Sequence, residues 1–169
     1  MTRPVTRPLI CTIPGLLLAV LSACGSGSST PVDTSPIATS VTTAEADVVD
    51  VSVSGDAGSY IFSVTIASPD SGCGQYADWW EVLGADGSLL YRRVLLHSHV
   101  TEQPFVRTGG PVPVGAADSV WVRAHMNATG YGGQVLSGTA ADGLAPMAGP
   151  RDFPAGLEQS APLPEGCDF

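Results

Sequence analysis

The chain has 169 residues, sixteen acids against seven arginines and no lysine, a net charge of −9 with only 14% charged positions. That length suits one domain, and the modest charge with 44% hydrophobic residues argues against a disordered chain. A surface this acidic repels phosphate backbones, so no nucleic acid is expected as a partner.

Residues 1–23 read as an export signal. Arg3 and Arg7 are the only charges before Asp33, and an apolar stretch runs from Leu9 to Ala23, interrupted by Pro14 and Gly15. About 15 residues with a helix breaker inside fall short of the ~20 that a membrane span needs. The stretch closes on Leu21-Ser22-Ala23-Cys24, followed by Gly25-Ser26-Gly27. Those four residues resemble the lipobox of bacterial lipoproteins. The resemblance implies that Cys24 carries a thioether-linked diacylglycerol and a further acyl chain, two or three chains being what a stable anchor requires. It also implies the cell envelope, and with Gly25 in second position the outer membrane if the host is Gram-negative. Removal of residues 1–23 leaves five arginines against sixteen acids, a mature charge of −11. An anionic leaflet repels that charge, so the membrane partnership rests on lipid alone.

Residues 24–44 are the lipidated cysteine and a spacer rich in serine, threonine and proline, with nothing to bury in a core. From residue 45 the pattern turns to short alternating runs rich in β-branched and aromatic residues. Strands are expected at about 47–54, 58–67, 77–83, 88–99, near 104–107, 118–126 and 134–140. The separators are Gly55-Asp56, Pro69-Asp70-Ser71-Gly72, Asp86-Gly87, Gly109-Gly110-Pro111 and Gly130-Tyr131-Gly132-Gly133. Seven such strands predict an all-β, immunoglobulin-like antiparallel β-sandwich over 45–141, with a small barrel or jelly roll as the alternative. The Asp86-Gly87 hairpin brings Glu81 against Arg92 or its neighbour, depending on register. An exposed pair of that kind is worth well under ~1 kcal/mol.

Residues 142–169 form a Pro/Gly-rich tail expected to pack on the domain. Cys11 leaves with the signal and Cys24 is lipidated, so Cys73 and Cys167 remain for a disulfide that pins the tail. Free thiols or metal ligands are the competing reading of that pair.

Chemistry has few places to sit. His97 and His99 flank Ser98, which on a strand puts both imidazoles on one face, about 6.5–7 Å apart. His125 ends another strand running in the same direction, and His-x-His with a third histidine can hold copper or zinc. Strand three lies between them, however, spacing the two histidine strands by ~9.6 Å. Loops 68–76, 98–108 and 127–133 are expected at one end, presenting Tyr76, Glu102, Gln103, Asn127 and Tyr131 for recognition of an envelope protein or small ligand. The sequence contains no Gly-x-Ser-x-Gly elbow, P-loop or His-Glu-x-x-His. Residues 75–133 also resemble a group of uncharacterised bacterial exported proteins, a resemblance that implies no activity. The leading expectation is a lipid-anchored, non-enzymatic binding or structural module without a cofactor. An exported copper or zinc protein using His97, His99 and His125 comes second, and a metal-dependent enzyme third.

Overall fold

The computed structural model describes residues 44–147 and 155–168. The segment read as an export signal, Cys24, most of the segment read as a spacer, residues 148–154 and Phe169 lie outside them. Among the described residues eight strands form two antiparallel sheets that pack as a β-sandwich. One sheet has the order β1 (Asp47–Ser54), β2 (Tyr60–Ala67), β5 (Phe105–Val112). The other has the order β4 (Leu89–Val94), β3 (Ala77–Gly84), β6 (Val120–Met126), β7 (Val135–Thr139), β8 (Gly143–Met147). Among the described residues no helix is long and apolar enough to cross a membrane.

Period-two alternation builds the core. Phe62, Val64 and Ile66 of β2 point inward and are fully buried, while the intervening residues are partly exposed. They meet Trp80 and Val82 of β3, Val122, Ala124 and Met126 of β6, and Phe105 and Val112 of β5. Each large apolar side chain buried here contributes ~1.5–3 kcal/mol.

The structure departs from the expected strand limits in three places. β4 stops at Val94 rather than at residue 99: its last ladder pair is Trp79↔Val94, and the His99 amide is instead taken by Asp70 Oδ2. His97 and His99 therefore lie on a loop. β5 runs through Gly109-Gly110-Pro111, which sequence pattern reads as a turn. β2 shifts register between Tyr60 and Phe62 opposite that stretch, and a proline is tolerated because β5 is an edge strand. Finally, β8 extends the larger sheet beyond residue 141, into the segment read as tail.

The β3–β4 hairpin resolves its register in an unexpected way. Gly84 N–H donates to the Ser88 carbonyl at 2.9 Å, closing a three-residue loop, and a bulge between Val82 and Leu83 then restores Glu81 opposite Arg92. Every residue of β3 is buried, on both faces. An antiparallel sheet ordinarily leaves one face to solvent. Here the outer face of β3 is roofed by Tyr131 and by the C-terminal tail.

Candidate functional site

Two polar constellations stand out, one on the outer face of the larger sheet and one at the end of the sandwich. The first is a row across three strands. Glu81 faces Arg92 of β4 on one side and Arg123 of β6 on the other. Its Oε2 accepts from Arg92 Nε at 2.8 Å and Nη2 at 2.6 Å, and its Oε1 accepts from Arg123 Nε at 2.7 Å. All three side chains are almost wholly removed from water, at 0%, 0% and 4% exposure for Glu81, Arg92 and Arg123. The expectation of an exposed, energetically trivial pair is thus corrected: this is a buried ion triad. One carboxylate is shared by two guanidiniums, each of which would be costly to bury without it, and the triad keeps a net charge of +1.

Aromatic groups complete the row. Tyr131 O–H donates to Glu81 Oε1 at 2.9 Å and accepts from Trp79 Nε1 at 3.2 Å. Burial first, then the Glu81 carboxylate, push the Tyr131 phenol up to about 12. The Arg123 guanidinium sits 3.5 Å from the Tyr131 ring centroid and that of Arg92 lies 4.5 Å from the Trp79 ring. His125 stacks on Trp79 with centroids 3.7 Å apart, and its Nδ1 meets Asp78 Oδ1 at 2.7 Å. Trp79 is therefore enclosed, and offers no flat platform to a sugar ring.

Arg92 also fastens the tail. Its Nη2 donates to the Leu157 carbonyl at 2.7 Å, and its Nη1 to the carbonyls of Ser160 at 2.5 Å and Pro162 at 3.2 Å. Farther on, Cys167 is bonded to Cys73 with Cα atoms 5.7 Å apart, as the cysteine count led us to expect.

The second constellation gathers the loops after β2, β4 and β6, which do meet at one end. Asp70, nearly buried, is the hub. Its Oδ1 accepts from Ala77 N–H at 2.9 Å and Ser68 O–H at 2.7 Å, and its Oδ2 from His99 N–H at 2.8 Å. Asn127 takes Tyr76 N–H on its Oδ1 and donates to the Cys73 carbonyl, while Gln103 bridges Ser68 and the His99 carbonyl. Ser98 Oγ accepts from Gly72 N–H at 3.1 Å. Glu102 is paired with Arg107 at 2.9 Å, which holds its carboxyl below the usual range. Of the residues expected to present ligand groups, Tyr76 is buried, Tyr131 is hydrogen-bonded to Glu81 of the ion triad, and Gln103 and Asn127 knit loops together.

The three histidines separate into two places. His97 and His99 lie together, ring centroids 4.5 Å apart, with His97 exposed and His99 buried against Phe105. His125 is committed to Asp78 and Trp79. Among the described residues no group of three or more histidines, cysteines or carboxylates is arranged to hold a metal. Burial pulls the His99 imidazole below its ordinary value, with Arg107 and His97 adding to the same effect.

The triad escaped sequence reasoning, although Asp78-Trp79-Trp80-Glu81-Val82 carried a signal. A run with both alternate positions filled by tryptophan is a strand buried on two faces, and a carboxylate inside such a strand needs a buried cation.

Comparison with known proteins gives one informative match. Over 94 residues the chain is 46% identical to a protein of Halomicrobium mukohataei that carries the provisional name of lipoprotein. The match takes in 54% of this chain and 46% of that protein, so the chain accounts for about half the relative's length or less. No family model and no solved structure matches.

Proposed function

We propose that the protein is a lipoprotein, held in the cell envelope by acyl chains on Cys24, whose sandwich acts as a non-enzymatic binding or structural module. The observation that carries the reading is the ordered series of basic start, apolar stretch, Leu21-Ser22-Ala23-Cys24 and polar spacer, in a chain similar to a protein named as a lipoprotein. The strand orders β1-β2-β5 and β4-β3-β6-β7 support an immunoglobulin-like arrangement, a frame that presents loops at its ends. The buried carboxylates are engaged in holding the fold: Asp70 ties loops, Asp78 positions His125, and Glu81 pairs with two arginines. In a Gram-negative host the outer membrane is the expected location.

Cys24→Ser is the test. The wild-type chain should partition with membranes in processed form, and the variant should be released or remain unprocessed. A variant that is processed and still retained by membranes refutes the anchor. One observation favours a second reading, the side-by-side rings of His97 and His99. Copper or zinc held there should be taken up stoichiometrically and lost in His97→Ala. Uptake that survives that substitution removes the reading.

A further inference from the structure

The sandwich is open along the seam between the edge strands β4 and β5, where a groove of about 410 Å³ lies. Arg93, His97, His99 and Arg107 line it, together with apolar Leu96 and Pro162. Among the described residues no carboxylate lines this groove, in a protein with more than twice as many acids as arginines. Charge of this sign concentrated in a concave site is a field that draws anions.

The four described arginines are not equivalent. Arg92 and Arg123 are held by Glu81, and Arg107 by Glu102. Arg93 is exposed and makes no ion pair or hydrogen bond among the described residues. Its register fixes where it points: it pairs with the core residue Trp80, so it occupies an inward position of an edge strand, at the lip of the seam. Arg107 occupies the matching position on β5, two residues from the core residue Phe105, and its guanidinium lies 5.3 Å from that ring.

A second observation comes from His99. It lines the groove wall at 3% exposure, and neither ring nitrogen makes a hydrogen bond among the described residues. Its Nδ1 stands 3.7 Å from Asp70 Oδ2, too far for a hydrogen bond. Burial first, then Arg107 and His97, disfavour a proton on His99 and outweigh the opposing pull of Asp70 and Glu102.

We infer that the seam groove binds a small organic oxyanion, with its carboxylate or phosphate on Arg93 and His97 and its apolar body against Leu96 and Pro162. Arg107 adds positive charge from the far wall, tempered by Glu102. The inference supplies a ligand class for the binding module proposed above and rests on that reading. It is independent of the anchor, which membrane fractionation tests separately.

The experiment is calorimetric titration of the full chain in detergent with four probes: hexanoate, hexyl phosphate, inorganic phosphate and hexanol. Hexanoate or hexyl phosphate should bind at least ~tenfold more tightly than hexanol and inorganic phosphate, with EDTA present throughout. A charge-assisted guanidinium contact is of that size, so Arg93→Gln should weaken binding ~tenfold or more. His97→Gln should weaken it as well, and both variants, altered at exposed positions, should melt within a few degrees of wild type. The two anionic probes tell a carboxylate site from a phosphate site. Equal binding of hexanol, equal binding of inorganic phosphate, unchanged binding in Arg93→Gln, or binding abolished by EDTA would each overturn the inference. So would a wild type that takes up none of the probes while Arg93→Gln self-associates, because Arg93 would then be guarding a sheet edge.

Discussion

Replacing Glu81 by glutamine is the sharpest probe of the ion triad. The substitution keeps shape and removes one charge, leaving two guanidiniums buried at 0% and 4% exposure with no countercharge from residue 81. Breaking a buried pair by deleting one partner costs ~3–5 kcal/mol, against ~1 kcal/mol or less for an exposed pair. Unfolding entropy of ~2.1 cal/mol/K per residue, over the 118 described residues, gives ~0.25 kcal/mol/K, so the melting temperature should fall by ~12–20 °C. Calorimetry or circular dichroism measures this directly. A fall smaller than ~4 °C would mean that the triad contributes no more than a surface pair, and would refute the account of the roofed face. A second readout follows from Tyr131, whose phenol is pushed up to about 12 by burial and by Glu81. Ultraviolet titration of Glu81→Gln should show it ionising at lower pH.

Reduction of Cys73–Cys167, or its replacement by serines, should cost up to ~4.7 kcal/mol on the chain-entropy estimate for a 94-residue loop; an unaltered melt would show that the Arg92 contacts alone hold the tail. Because burial lowers the folded-state pKa of His99, the unfolded chain binds the extra proton first as pH falls. Stability should therefore be fully present above ~6.5 and decline from there down through the folded value. Denaturant titrations of His99→Phe should be flatter over that window, and an identical slope would refute the assignment. A Cβ at Gly133 would collide with the Ala46 carbonyl and approach Asp47 Oδ1 to 2.7 Å, so Gly133→Ala should destabilise by ~1–3 kcal/mol in urea. Gly74 has open space around it, and Gly74→Ala should shift the same curve by less than ~0.5 kcal/mol.

Local pattern carried most of the frame. Alternation in Tyr60–Ala67 and the Asp86-Gly87 turn specify a half-buried strand and a hairpin from neighbouring residues alone. The cysteine pairing followed from elimination. What was not legible depends on partners far apart in the chain. Glu81 looked solvent-facing because its cover, Tyr131 and the segment around Leu157–Pro162, has no periodicity that marks it as a layer. The expected strand through His99 failed for a similar reason. Asp70, 29 residues away, captures the His99 amide, and a carboxylate that accepts main-chain donors competes with a ladder that sequence alone would extend. β8 was hidden by its glycine and proline content, which suits a sheet edge as well as a coil.

Arg92 grips three peptide carbonyls of the tail and none of its side chains. Such a fastening reads the course of the backbone and is indifferent to the letters spelled along it. Residues 157–160 can thus drift widely in composition while the latch still closes, and mutational scanning should find them permissive even though shortening the segment would strip the roof from Glu81.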